Sequence, residues 1–159
     1  GNEGAAGVLV AVHGVGCGGG GVARRRAMDG AKLTLAYIDA VAAQALASEL
    51  GGVAVEADAI MTVPCDVLSP NALGAILDED SIAALDTAIV AGGANNQLAR
   101  SAHGDPLFKR GILYAPDYVI NAGGIISVAS EYLARREGRL GSVEEVRTRN
   151  EQIHGRREE

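Results

Sequence analysis

The chain has 159 residues, enough for one domain with a substantial core, and 48% of them are apolar, which excludes a disordered polymer. A net charge of −6 argues against a general nucleic-acid binder, which needs a clustered positive surface. No run is long and apolar enough to span a bilayer, no basic-then-apolar signal opens the chain, and two cysteines without metal spacing imply no disulfide framework. A cytoplasmic, membrane-free protein is the expectation.

In chain order, the apolar run Val8–Val12 reads as a central parallel strand and ends on a glycine-rich turn. A helix is predicted from Gly18 to Asp29, stopped by Gly30. Lys32–Tyr37 is the next strand, followed from Asp39 by an Ala-rich helix ending near Leu50–Gly52. Val53–Val55, Cys65–Leu68, Thr87–Ala91 and Ile112–Tyr114 are further short strands, the last three stopping at Ser69–Pro70, Gly92–Gly93 and Pro116. A long helix is expected from Asp117 or Tyr118 toward Arg136, with the Gly123–Gly124 pair as its weak point. Residues 141–159 form a charged helix or tail, which leaves 1–140 as the folded domain. Alternating strand, loop and helix imply an α/β doubly wound parallel sheet. In such sheets ligands gather at the carboxyl ends of the strands. The unusual residues fall there: Gly14–Gly19, Ser69–Asn71, Gly92–Asn96 and Pro116–Gly124.

Gly14-x-Gly16-x-x-Gly19 follows a strand and opens a helix, the context of a Rossmann-type dinucleotide loop. The first glycine makes the turn, the second lets backbone approach a diphosphate, and the third lets helix and strand pack closely. Amides of Val15, Cys17, Gly18 and Gly19, with the positive end of the helix, complete the proposed cradle. Modification of the Cys17 thiol would then block the phosphates. Gly18 to Gly21 are consecutive glycines followed by Arg24–Arg26, so the helix offers a thin apolar stripe of Val22, Ala23, Ala27 and Met28, and a loose first turn is expected. An acid that reads the adenosine ribose belongs about 20 residues beyond the glycines. Tyr37 and Asp39 compete for that place. Asp39 either accepts from the ribose hydroxyls or caps the following helix. No arginine follows closely, which favours NAD over NADP.

Elsewhere, His103-Gly104-Asp105 resembles neither a triad nor a metal site, and Asp105 is expected to cap the helix holding Leu107–Arg110. Cys65 is expected to be an inert strand thiol. His13 reads as a strand-end residue. The segment GILYAPDYVINAGG (111–124) places Asn121 and two glycines in an apolar setting, where close approach of a ligand is the natural use of bare backbone.

Four segments resemble the amino-acid dehydrogenases acting on leucine, valine, phenylalanine and, more distantly, glutamate: VAVHGVG (10–16), CDVLSPNALGAIL (65–77), AGGANNQLARSAHGD (91–105) and RGILYAPDYVINAGGIISVASEYL (110–133). The resemblance implies a cofactor domain that works beside an N-terminal substrate domain carrying the catalytic lysine and aspartate. No segment here matches that domain, so no catalytic residue is expected in this chain, and the isolated chain should not turn over. It further implies that Gly14, Gly16 and Gly19 hold the pyrophosphate, and that the loop of Ala91, Gly92 and Asn95 lies near the nicotinamide and its ribose. Asn121 would sit near the amino-acid head group and the nicotinamide, and Ile125 and Val128 would line the side-chain pocket. The implied reaction is NAD-dependent oxidative deamination of a branched-chain or aromatic L-amino acid, in an intact enzyme built as a homo-oligomer. Tyr37 stands where the family has an acid, and His13 where it usually has Gln. A non-catalytic NAD-binding sensor or interaction module is the alternative, and a degenerate chain that binds nothing is a third reading.

Overall fold

The computed structural model describes residues 6–120, and the chain divides into two units, Gly1–Asp117 and Tyr118–Glu159. The first unit is built on six parallel strands: β1 (Leu9–His13), β2 (Lys32–Ala36), β3 (Val53–Val55), β4 (Cys65–Pro70), β5 (Thr87–Val90) and β6 (Leu113–Tyr114). Their order across the sheet is β3-β2-β1-β4-β5-β6. The chain winds outward from β1 through β2 and β3, crosses back, and winds out the other way from β4. The doubly wound expectation holds, with its switch point between β1 and β4.

Strand alternation sorts the core onto two faces. Val10 and Val12 of β1 and Leu33 and Leu35 of β2 pack with Ala23 of α1 (Cys17–Met28) and Leu46 and Ala47 of α2 (Ala40–Leu50). Ala11, Ala36, Leu68 and Val90 face the opposite layer, where Ile60, Ile82 of α3 (Glu79–Ala84) and Leu107 of α4 (Gly104–Lys109) meet. Short 3-10 turns at Ala59–Thr62 and Ser101–His103 complete that layer, and α5 spans Asp117–Ile120.

The helix α1 starts one residue earlier than its composition suggests, and it forms a regular first turn in which the Gly20 amide reaches the Gly16 carbonyl at 2.8 Å. Its buried residues are Gly19, Gly20 and Ala23, so the helix rests on the sheet by closeness rather than by bulk. Met28 is 80% exposed and takes no part in the stripe assigned to it. The guanidinium of Arg24 folds back over Gly20 and forms a two-pronged pair with Glu49 of α2, both N–O distances 3.0 Å. Arg25 and Arg26 turn to Asp29 at the helix end.

Two further expectations are corrected. Asp105 does not cap α4: the helix begins at Gly104, His103 is the cap residue, and Asp105 lies inside the first turn, where a carboxylate favours the helix dipole. The helix α3 has no counterpart among the elements expected from sequence. It is capped by Asp78, whose side chain accepts from the Ser81 amide while the Ser81 hydroxyl accepts from the Asp78 amide, a closed capping box. Asn121, the Gly123–Gly124 pair, Ile125, Val128, most of the long helix expected toward Arg136 and the tail at 141–159 lie outside the described residues.

Candidate functional site

At the end of β1 the chain must turn sharply under the sheet, and Gly14 does so with φ +88°, a conformation L side chains rarely adopt. A Cβ on Gly14 would stand 2.6 Å from the Ala72 Cβ. A Cβ on Gly19 would run into the Gly14 carbonyl oxygen and the Asn71 Cβ. These two glycines are therefore demanded by packing. Gly16 is different. A Cβ there would meet only the Tyr37 hydroxyl, at an ordinary 3.6 Å, and one on Gly18 would meet open space. Packing leaves the backbone at 16 to 18 bare, and bare backbone on an open side is what a diphosphate-binding turn requires.

The helix α1 has no side-chain cap and no acid in its first turn, whereas α2 and α3 are capped by Asp39 and Asp78. Its leading N–H groups are thus left for an external acceptor. Cys17, the first helical residue, is exposed, and Val15 packs inward against the core. Asp39 serves as the α2 cap: its Oδ1 accepts from the Ala42 amide at 3.0 Å, and it is exposed. Tyr37 follows the last residue of β2 directly and leans toward the glycine turn.

Across the switch point, Asn71 ties three elements together. Its amide donates to the His13 carbonyl at 2.7 Å, its Oδ1 accepts from the Gly93 amide at 2.9 Å, and its Nδ2 donates to Ser69. Asn71 thereby links the turn after β1 to the loop after β5. That second loop is clamped from within. The Gln97 side chain is fully buried, and its Nε2 donates to the carbonyls of Gly92 at 2.6 Å and Ala94 at 3.0 Å. The Ala91 amide reaches Leu68 and the Ala94 amide reaches Pro70, both at 2.9 Å, and a Cβ on Gly92 would collide with Pro70. Asn95 and Asn96 lie over Gly74, and Asp117 accepts from the Asn96 amide at 2.6 Å. Sequence reasoning missed Gln97, Asn71 and Asp117 as braces; only the polar cluster at 69–71 drew attention to one of them.

The charges near the turn are modest. Burial holds the His13 imidazole below its ordinary range, so it is neutral at pH 7, and its Nδ1 is buried without a partner among the described residues. Burial pushes the Cys65 thiol up, with the Asp66 and Asp86 carboxylates adding to the effect, which agrees with an inert strand cysteine. His103 braces the loop: its Nδ1 lies 3.2 Å from the Arg100 amide and 3.1 Å from the Leu77 carbonyl. An apolar cleft of about 390 Å³, lined by Phe108, Ile112, Leu113 and Tyr114 among others, flanks the edge strand β6 and shares none of the glycine turn's residues.

Of the residues singled out in sequence, the structure gathers Gly14, Gly16, Gly19, Tyr37 and Gly92 with Asn71 at the carboxyl ends of β1, β2, β4 and β5. Asn121, Ile125 and Val128 fall beyond the described residues.

The chain is similar to several known proteins. Residues 10–157 match the family model described as glutamate/leucine/phenylalanine/valine dehydrogenase. Leucine dehydrogenase of Bacillus cereus is 44% identical over 141 residues, covering 88% of this chain and 38% of that protein. The crystal structure of L-tryptophan dehydrogenase from Nostoc punctiforme superposes with a TM-score of 0.78 at 40% identity, covering 80% of this chain and 39% of that one. The hetero-hexameric glutamate dehydrogenase from Thermus thermophilus shares the fold, with a TM-score of 0.72 at 23% identity over 95% of this chain and 39% of that chain. The chain thus spans well under half the length of these relatives. It belongs to the glutamate/leucine/phenylalanine/valine dehydrogenase family.

Proposed function

We propose that this chain is the cofactor-binding half of an NAD-dependent amino-acid dehydrogenase. The intact enzyme would oxidatively deaminate a branched-chain or aromatic L-amino acid to its 2-oxo acid and ammonia, in the cytoplasm and as an oligomer of identical subunits. The observation that carries the reading is the uncapped start of α1 behind a turn whose Gly14 and Gly19 admit no side chain, whose Gly18 faces open space and whose Gly16 meets only the Tyr37 hydroxyl. Relatives named leucine and L-tryptophan dehydrogenase support the substrate class.

In this reading the amides of Cys17, Gly18 and Gly19 hold the diphosphate, aided by the helix dipole. Asp39 stands three residues beyond the end of β2, and the oxygen not engaged by the Ala42 amide would accept from the ribose hydroxyls. The loop from Ala91 to Asn95, held by Gln97 and Asn71, would present backbone to the nicotinamide end, the end to which the family resemblance also assigns Asn121. The bound cofactor supplies the hydride acceptor. The family resemblance assigns the proton-transferring groups to a substrate domain of the intact enzyme, and Ile125 and Val128 to that enzyme's side-chain pocket.

Titration of the chain with NADH, followed by nicotinamide fluorescence, tests the proposal. Saturable binding is expected for the native chain and none for Gly16→Val, whose branched side chain would occupy the diphosphate's place. Identical titration curves for the two proteins would remove the site. No amino-acid deamination is expected from the chain alone.

A further inference from the structure

We propose that Tyr37 governs how this site distinguishes the two nicotinamide dinucleotides, and that it makes the distinction weak. The inference rests on the reading that the glycine turn holds a dinucleotide. Ala36 closes β2 opposite His13, and its carbonyl accepts the Gly14 amide at 2.7 Å. The next side chain is therefore delivered beside the turn. The Tyr37 hydroxyl stands 3.6 Å from the point that a Cβ on Gly16 would occupy. That is the place, at the end of the second strand, from which the adenosine ribose is read.

A carboxylate there does two things. It accepts from the ribose hydroxyls, and it repels a 2′-phosphate. A phenol offers one donor and one acceptor without charge, so it greets a hydroxyl or a phosphate oxygen alike. Attraction for a 2′-phosphate is missing as well from the described stretch that follows Lys32. No Lys or Arg occurs anywhere from Leu33 to Ala99, and the guanidinium of Arg24 is committed to Glu49. The remaining acid, Asp39, is exposed and has one oxygen on the Ala42 amide, so its field is screened by solvent. NADH is favoured here only weakly, because no cation from Leu33 to Ala99 draws the extra phosphate in and the screened Asp39 opposes it little. The strong rejection that a carboxylate in place of Tyr37 would provide is absent.

The test is a pair of titrations of the full chain, with NADH and with NADPH at one ionic strength, for the native protein, Tyr37→Asp and Tyr37→Phe. Native dissociation constants within about tenfold of each other are expected, because the solvent-screened Asp39 separates the ligands only weakly. Tyr37→Asp should weaken NADPH at least about tenfold more than NADH. Tyr37→Phe should weaken both by a similar small factor and leave their ratio unchanged. A native preference for NADH far above tenfold overturns the proposal without needing any variant to fold, and so does a Tyr37→Asp ratio equal to the native one. If NADH binds, Gly16→Val abolishes it and NADPH is strongly rejected, only this inference falls. If neither dinucleotide binds, the cofactor reading falls with it.

Discussion

The turn after β1 and the loop after β5 sit side by side at the switch point and are made rigid by opposite means. The turn is shaped by what is missing: Gly14 takes φ +88°, Gly19 presses on the Gly14 carbonyl, and no side chain caps α1. The loop is shaped by what is present: one buried amide, Gln97, holds the carbonyls of Gly92 and Ala94 while Asn71 and Asp117 secure its outer edge. A structure made by omission tolerates no addition. One made by a single brace fails when the brace is cut.

The sharpest way to break that comparison is Gly19→Ala. The added methyl has no rotamer by which to escape the Gly14 carbonyl, so a loss of about 3 kcal/mol or more is expected in urea denaturation. A midpoint equal to the native one would show that the turn yields. On the other side, Gln97→Leu strands two buried carbonyls and should cost about 2–3 kcal/mol. It should also separate the two regions functionally: affinity for NADH falls, while affinity for ADP-ribose, which lacks the nicotinamide, stays near the native value. Equal losses for both ligands would mean that the loop and the turn act as one body.

A smaller effect tests the junction between them. Burial lowers the His13 pKa in the folded chain, so below its ordinary value of 6.5 the unfolded chain takes up the proton first. The stability that neutral His13 contributes is whole above that value and is lost as pH falls toward the folded pKa. Denaturation midpoints measured between pH 7.5 and 5.5 should therefore decline less in His13→Gln than in the native chain, and parallel declines would exclude the buried imidazole as the cause. The smallest effect has the opposite sign. Gly21 lies mid-helix with open space where its Cβ would be, so Gly21→Ala should raise stability by about 0.5–1 kcal/mol. At Gly20 the same change places a methyl 3.2 Å from the Val15 carbonyl, and its gain should be offset. A thermal melt of both variants separates a packed glycine from an idle one within a single run of four.

Much of the architecture was legible before any coordinates. Runs such as Val8–Val12 and Thr87–Ala91 are apolar on both faces because helices cover both sides of a parallel sheet, and each ends on residues that terminate strands. The three spaced glycines announced the turn because their spacing follows from backbone geometry alone. The helix α3 escaped notice because six residues leave too little periodicity, although Asp78 and Ser81 carried its capping signature. Asp105 lies two residues beyond the cap position that its sequence suggests, since acids favour both the cap and the first turn of a helix.

The amino-acid order by itself determined the strand order's raw material, the glycine turn and the family, because these depend on local φ/ψ limits and on alternating burial. Only the tertiary structure decided that Gln97 is the buried clamp, that Asn71 joins the two loops and that Tyr37 faces Gly16. Each of those contacts joins residues whose meeting depends on strand register and crossover. A polar side chain in a sequence has many potential partners, and the fold leaves it one.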